Sequence, residues 1–142
     1  MILAGDIGAT KSRLGLFTGR GASPVLSATF RTAAFERPSD LIGSFLAPLG
    51  ARPLGACFGV AGVVEGGRVP RINLPRDLHA GELERELGLR EVTFVNDVEA
   101  AARGIEALGR DDLAILNLGA AGAVGTRAVV SAGTGLGEAA LW

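Results

Sequence analysis

One apolar stretch that does not alternate, Leu54–Val60, and a second expected buried strand, Glu91–Val95, constrain this chain more than any other feature. A strand read this way is expected to be buried on both faces, which happens chiefly in sheets sandwiched by helices. Segments with helical spacing follow or precede both runs. Pro38–Leu49 places Leu41, Ile42, Phe45, Leu46 and Leu49 on one face, with Pro38 near its start. Leu78–Leu87 ends at Gly88, and Asp97–Leu108 lines up Val98, Ala101, Ala102, Ile105 and Leu108 before Gly109. Ile2–Gly5, Arg13–Phe17 and Val25–Phe30 read as further strands, the first two joined by a tight turn. Val63–Val64 and Val69–Ile72 flank Glu65-Gly66-Gly67 as an expected hairpin. Leu113–Leu118 and Ala128–Ser131 are expected strands joined by the loose Gly119–Gly125 stretch. Strands and helices in this order predict an α/β fold.

The 142 residues suffice for one compact domain with a sizeable core. With 48% hydrophobic and 20% charged residues the chain is of ordinary globular composition. The net charge of −1 is scattered, which argues against nucleic acid or a membrane surface as main partner. No stretch of 18 apolar residues occurs, and the N-terminal residues lack a basic, then long apolar, leader pattern. Cys57, the single cysteine, reads as a small buried thiol, and a cytoplasmic location is the default expectation.

Much chemistry is excluded by residue type. There is no G-x-x-x-x-G-K-[ST] stretch, and one histidine, His79, with one cysteine cannot build a Cys/His zinc cluster within these residues. His79 falls at a helix start, where a solvated side chain is the simpler reading. Gly135-Leu136-Gly137-Glu138-Ala139-Ala140 satisfies the loose dinucleotide pattern G-x-G-x-x-A, which requires a helix after the glycines.

Three loops carry complementary chemistry. Asp6-Ile7-Gly8-Ala9-Thr10-Lys11 sets a carboxylate at a strand end before a turn whose N–H groups can face a phosphate, with Asp6 able to hold Mg²⁺ through water; it can equally be a plain hairpin turn. Asn96-Asp97 lies where a strand meets a helix. A carboxylate there can take the proton of an attacking sugar hydroxyl, or the pair can merely cap the helix. Gly133–Gly137, with Thr134, lets backbone approach an anion closely, as would an ordinary glycine turn.

In order, LAGDIGATKSRLGLF, FGVAGVVEGGRV, FVNDVEAAARGI and SAGTGLGEA resemble four motifs of the bacterial glucokinases, within the hexokinase, actin and sugar-kinase superfamily. The resemblance implies two RNase H-like (actin-like ATPase) lobes: a mixed sheet flanked by helices over residues 1–109, and the opening strands of a second lobe over 110–142. It implies ATP-dependent phosphorylation of glucose at the 6-hydroxyl, with ATP and Mg²⁺ as cofactors; a homodimer is the expected state. Asp97 matches the catalytic base, and Asn96 and Asn73 match sugar ligands. Asp6, Gly8, Ala9, Thr10 and Lys11 match the first phosphate motif, and Gly133, Thr134, Gly135 and Gly137 the second. Ala9 stands where a second glycine is usual, Val63 where proline is common and Arg76 where an aromatic residue often follows. Such enzymes extend for roughly as many residues again, adding sugar ligands and the adenosine pocket. Another hexose as substrate, or a non-catalytic sugar- or partner-binding lobe, are the alternative readings.

Overall fold

The computed structural model describes residues 1–50, 53–70, 77–132 and 136–142, which divide into two compact units, Met1–Asp97 and Val98–Trp142. The first unit is built on a five-stranded sheet. Its strands are β1 (Ile2–Ile7), β2 (Lys11–Phe17), β3 (Leu26–Arg31), β4 (Gly55–Val60) and β7 (Val92–Asn96), in the order β3-β2-β1-β4-β7. β1, β2 and β3 form an antiparallel meander, while β4 runs parallel to β1 and β7 parallel to β4. Parallel neighbours need crossovers, and α1 (Pro38–Leu46) and α2 (Ala80–Leu87) lie in them.

One sheet face is apolar in strict alternation. Leu3 and Ile7 of β1, Leu14 and Leu16 of β2, Ala56, Phe58 and Val60 of β4, and Val92 and Phe94 of β7 form one core with Leu41, Ile42 and Phe45 of α1 and Leu83 of α2. The two helices meet over it: Arg37 and Glu86 form an ion pair, and the Gly43 position faces Leu87. α1 carries proline at its start and Asp40 in its first turn, and Pro48 keeps it from continuing as an α-helix beyond Leu46, so Ala47–Leu49 tightens into a 3₁₀ turn. α2 ends as read, with Gly88 left-handed at φ 65° and its N–H on the Glu84 carbonyl.

The expectation of strands buried on both faces needs correction. β7 alternates, with Val92 and Phe94 buried and Thr93 exposed, and Cys57 of β4 is half-buried rather than enclosed. Among the described residues the two helices cover one face only, so side chains of opposite phase keep contact with solvent. The expected hairpin also differs. Gly66 and Gly67, at φ 54° and 75°, make a tight turn in which Glu65 and Arg68 exchange backbone hydrogen bonds. β5 (Arg68–Val69) then pairs with β6 (Leu78–His79), not with Val63–Val64. Val69 and Leu78 are both essentially fully buried while Val63 is exposed, so burial selects the partner. The Leu78–His79 end of the expected second helix is thus strand, and His79 is half-buried at the α2 N-cap. Of the hairpin's second arm, Arg71 and Ile72 lie outside the described residues.

In the second unit, α3 (Asp97–Gly104, its first residue belonging to the first unit) is followed by a 3₁₀ turn, Ile105–Ala107. β8 (Arg127–Ala132) and β9 (Leu136–Leu141) pair antiparallel. Leu113–Leu118 is not a strand. Ile115, Leu116 and Leu118 are 74%, 97% and 86% exposed, and no strand among the described residues takes up the backbone of this run. An apolar sequence without a neighbouring strand to complete its hydrogen bonds does not register as a strand. β9 is a strand where the dinucleotide pattern requires a helix, so that reading fails. No helix among the described residues is long and apolar enough to cross a membrane.

Candidate active site

Parallel pairing of β1, β4 and β7 puts Ile7, Val60 and Asn96 level with one another, so three strands end together at their carboxyl ends. β2 starts there as well, since Ser12 pairs with Ile7. Strand alternation sends Asp6 to the face opposite Leu3 and Ile7. Gly8, Ala9 and Thr10 then reverse the chain, and the Gly8 N–H donates to the Lys11 carbonyl at 3.1 Å. A Cβ at Gly8 would stand 2.9 Å from that carbonyl oxygen, so the turn has no room for a side chain there. Ala9 is another matter. Its φ is negative and its side chain exposed, so the turn adopts its shape without a second glycine.

Asn96 and Asp97 close the site from β7. The Asn96 amide donates from Nδ2 to the Gly62 carbonyl at 3.1 Å, which ties the end of β7 to the loop after β4. Gly62 has φ 152°, a conformation that favours glycine. Asp97, half-buried, is the first residue of α3. Its charge acts on Asp6, whose carboxyl is held above its ordinary range first by partial burial and then by repulsion from Asp97. The sheet end therefore gathers two carboxylates and a turn of outward-facing backbone.

The sign of that shift makes a prediction. A carboxyl whose folded pKa is raised binds its proton better folded than unfolded, so stability falls as pH rises through the ordinary carboxylate range toward the folded value. Asp6→Asn is expected to melt higher than the parent at neutral pH, with the advantage vanishing in acid below that range. Thermal melts of the whole protein across pH check it. A gap that persists unchanged in acid would remove Asp6 as its source.

Asp6, Gly8, Ala9, Thr10, Lys11, Asn96 and Asp97 are thus brought to one end of the first unit. Gly137 lies in the second unit, second in β9, where an added Cβ would collide with Val98 Cγ2 of α3. That glycine is required by helix-on-strand packing whatever else it does. Asn73, Gly133, Thr134, Gly135 and Arg76 lie outside the described residues. Sequence reasoning missed Ser12 and Thr32, two buried hydroxyls behind the turn. Ser12 was legible, because in KSRLGLF it shares the phase of the buried Leu14 and Leu16.

This sheet order, with an acidic glycine turn after the first strand and an aspartate at the end of the last, defines a lobe of the actin-like ATPase class. Residues 3–142 match the family model described as Glucokinase. The glucokinase of Agrobacterium fabrum is 33% identical over 141 residues, which are 99% of this chain and 42% of that protein. The crystal structure of a glucokinase from an Antarctic psychrotroph superposes with a TM-score of 0.82 at 27% identity, covering 99% of this chain and 45% of that one. A ROK family glucokinase from Streptomyces griseus, solved in complex with glucose and AMPPNP, shares the fold at TM-score 0.67 and 24% identity over 99% of this chain and 44% of its own. The chain belongs to the glucokinase family. It spans about two fifths of the length of the curated relatives it matches.

Proposed function

We propose that the protein to which these residues belong phosphorylates glucose on its 6-hydroxyl with ATP. The observation that carries this reading is the meeting of Asp6, the Gly8–Lys11 turn, Asn96 and Asp97 at the level carboxyl ends of β1, β4 and β7. Family membership and the glucose and AMPPNP bound by the Streptomyces griseus relative support it.

In this reading Asp97 accepts the proton of the sugar 6-hydroxyl as that oxygen bonds to the γ-phosphorus and the bond to the β-phosphate oxygen breaks, leaving ADP. Asn96 orients a neighbouring hydroxyl, and Asn73 is proposed as a further sugar ligand. The Gly8–Lys11 turn receives the terminal phosphates: the Ala9 and Thr10 amides are exposed and, among the described residues, meet no acceptor of the protein. Gly133, Thr134, Gly135 and Gly137 are proposed as the second phosphate loop. Mg²⁺ fits the donor set, since Asp6 is a carboxylate crowded by a second negative charge; bound with the nucleotide, the ion neutralises phosphate charge. The N-terminal lobe is proposed to span residues 1–109 and the larger lobe to begin at 110. A reducing cytoplasm suits a Cys57 thiol that is in no disulfide, and a glycolytic substrate. The exposed run from Ile115 to Leu118 calls for cover from more of the same chain or a second copy, and a homodimer is the expected state, measurable by light scattering.

A coupled assay for glucose 6-phosphate, run on the whole protein with Mg-ATP and a panel of hexoses, is the test. Turnover with glucose foremost upholds the reading. Turnover with mannose, fructose or an amino sugar instead changes the substrate. Tight sugar binding with no turnover would make the lobe a binding module.

A further inference from the structure

Thr32 and Ser12 are 5% and 0% exposed, yet neither belongs to the apolar core in character. Thr32 Oγ1 donates to the Gly8 carbonyl at 2.7 Å and also lies 2.9 Å from Ser12 Oγ. A hydroxyl has one hydrogen. Since a carbonyl can only accept, the Thr32 hydrogen is on Gly8, and Ser12 must be the donor to Thr32. The result is a one-way chain from Ser12 through Thr32 to the Gly8 carbonyl. The Thr32 backbone N–H adds a bond to the Thr10 carbonyl at 3.0 Å.

Each of those carbonyls is half of a planar peptide unit, the other halves being the N–H groups of Ala9 and Lys11. In a trans peptide the N–H points opposite to the C=O, so gripping the Gly8 and Thr10 oxygens from inside turns both N–H groups away from Thr32. The Ala9 N–H meets no protein acceptor among the described residues. Donation into the Gly8 carbonyl also polarises the same peptide, strengthening that N–H as a donor. We infer that Thr32, oriented by Ser12, is a positioning residue that aims and polarises the Ala9 amide toward the nucleotide phosphate. This rests on the reading of the turn as a phosphate site, and reaches past it to residues that touch no ligand.

The bland alternative is that two buried hydroxyls simply satisfy one another. It predicts lost stability and nothing else, so the test needs readouts that stability does not move. Thr32→Val keeps the shape and removes the hydroxyl; Thr32→Ser keeps the hydroxyl. In the whole protein, Thr32→Val is expected to weaken calorimetric binding of Mg-AMPPNP by about tenfold, the size of one well-made hydrogen bond. Sugar affinity should stay within about twofold. Hydrogen exchange at the Gly8 amide, which closes the turn onto Lys11, should speed up relative to the amides of β1 and β4. Thr32→Ser should restore both, and Ser12→Ala should fall between.

Nucleotide binding unchanged in a folded Thr32→Val variant would overturn the inference, as would equal loss of nucleotide and sugar affinity. Thr32→Ser failing as badly as Thr32→Val would also overturn it. If the unmodified protein binds no Mg-AMPPNP, the kinase reading fails by itself, and Gly8 exchange still decides the clasp: faster exchange in Thr32→Val supports it, unchanged exchange ends it.

Discussion

Asp97→Asn, introduced into the whole protein, is expected to lower kcat by roughly 10²–10⁴-fold while the KM for sugar changes only a few-fold. The substitution preserves size and hydrogen-bonding reach but removes the carboxylate proposed to accept the proton. A competing account would make Asp97 a helix-start acid with no chemical role. An acid at a helix N-terminus is worth roughly 0.3–1 kcal/mol, and asparagine caps nearly as well. A barrier increase of about 2.7–5.5 kcal/mol, which the stated rate loss implies, cannot come from that source. Thermal melting separates the two directly, since loss of the base leaves the melting temperature within a few degrees. Removing the Asp97 charge also relieves Asp6, so the Asp6 carboxyl should titrate lower in the variant, a shift visible by carbon NMR of the side chain. A rate within a few-fold of the parent would end the assignment of Asp97 as base.

The largest effect on stability is expected from Phe58→Ala. Phe58 is fully buried in the middle of β4, level with Gly5 of β1 and Phe94 of β7, and its ring centroid lies 6.3 Å from that of Phe94. Its space exists because residue 5 has no side chain. A Cβ at Gly5 would come within 3.1 Å of the Phe58 ring, 2.9 Å of the Arg13 carbonyl and 2.5 Å of Leu14 Cδ2. Truncation therefore leaves a cavity walled by strands on either side, which relax little. Losses of about 3–5 kcal/mol follow for such phenylalanines, a large share of a typical 5–15 kcal/mol. Denaturant midpoints of the whole protein measure it, at constant slope. A loss below about 1 kcal/mol would mean the site collapses, and that the ring is not the keystone of this sheet. A loss of the expected size should also reach the site, because β4 sets the level at which β1 and β7 end.

Residue order alone was enough to determine the local elements whose causes are local. Pro38 opens a helix because its missing N–H costs nothing in the first turn, and Gly88 closes one because only a residue without Cβ enters the left-handed region cheaply. The motifs around Asp6 and Asn96-Asp97 were legible for the same reason: each is a short run of residue types with its own chemistry. Tertiary structure decided what depends on partners distant in the chain. Val69 joins Leu78 rather than Val63 because those two can be buried together, and Leu113–Leu118 fails to become a strand for want of a neighbour. Only the parallel register of β1, β4 and β7 brings Asp6 close enough to feel Asp97 across 91 positions of sequence, and only the return of β3 along β2 puts the hydroxyl of Thr32 behind Gly8. Hydrophobic pattern says which residues will leave water; it does not say which of them will meet, because burial is without direction, while a hydrogen bond or a pair of like charges is defined by the distance that the fold sets.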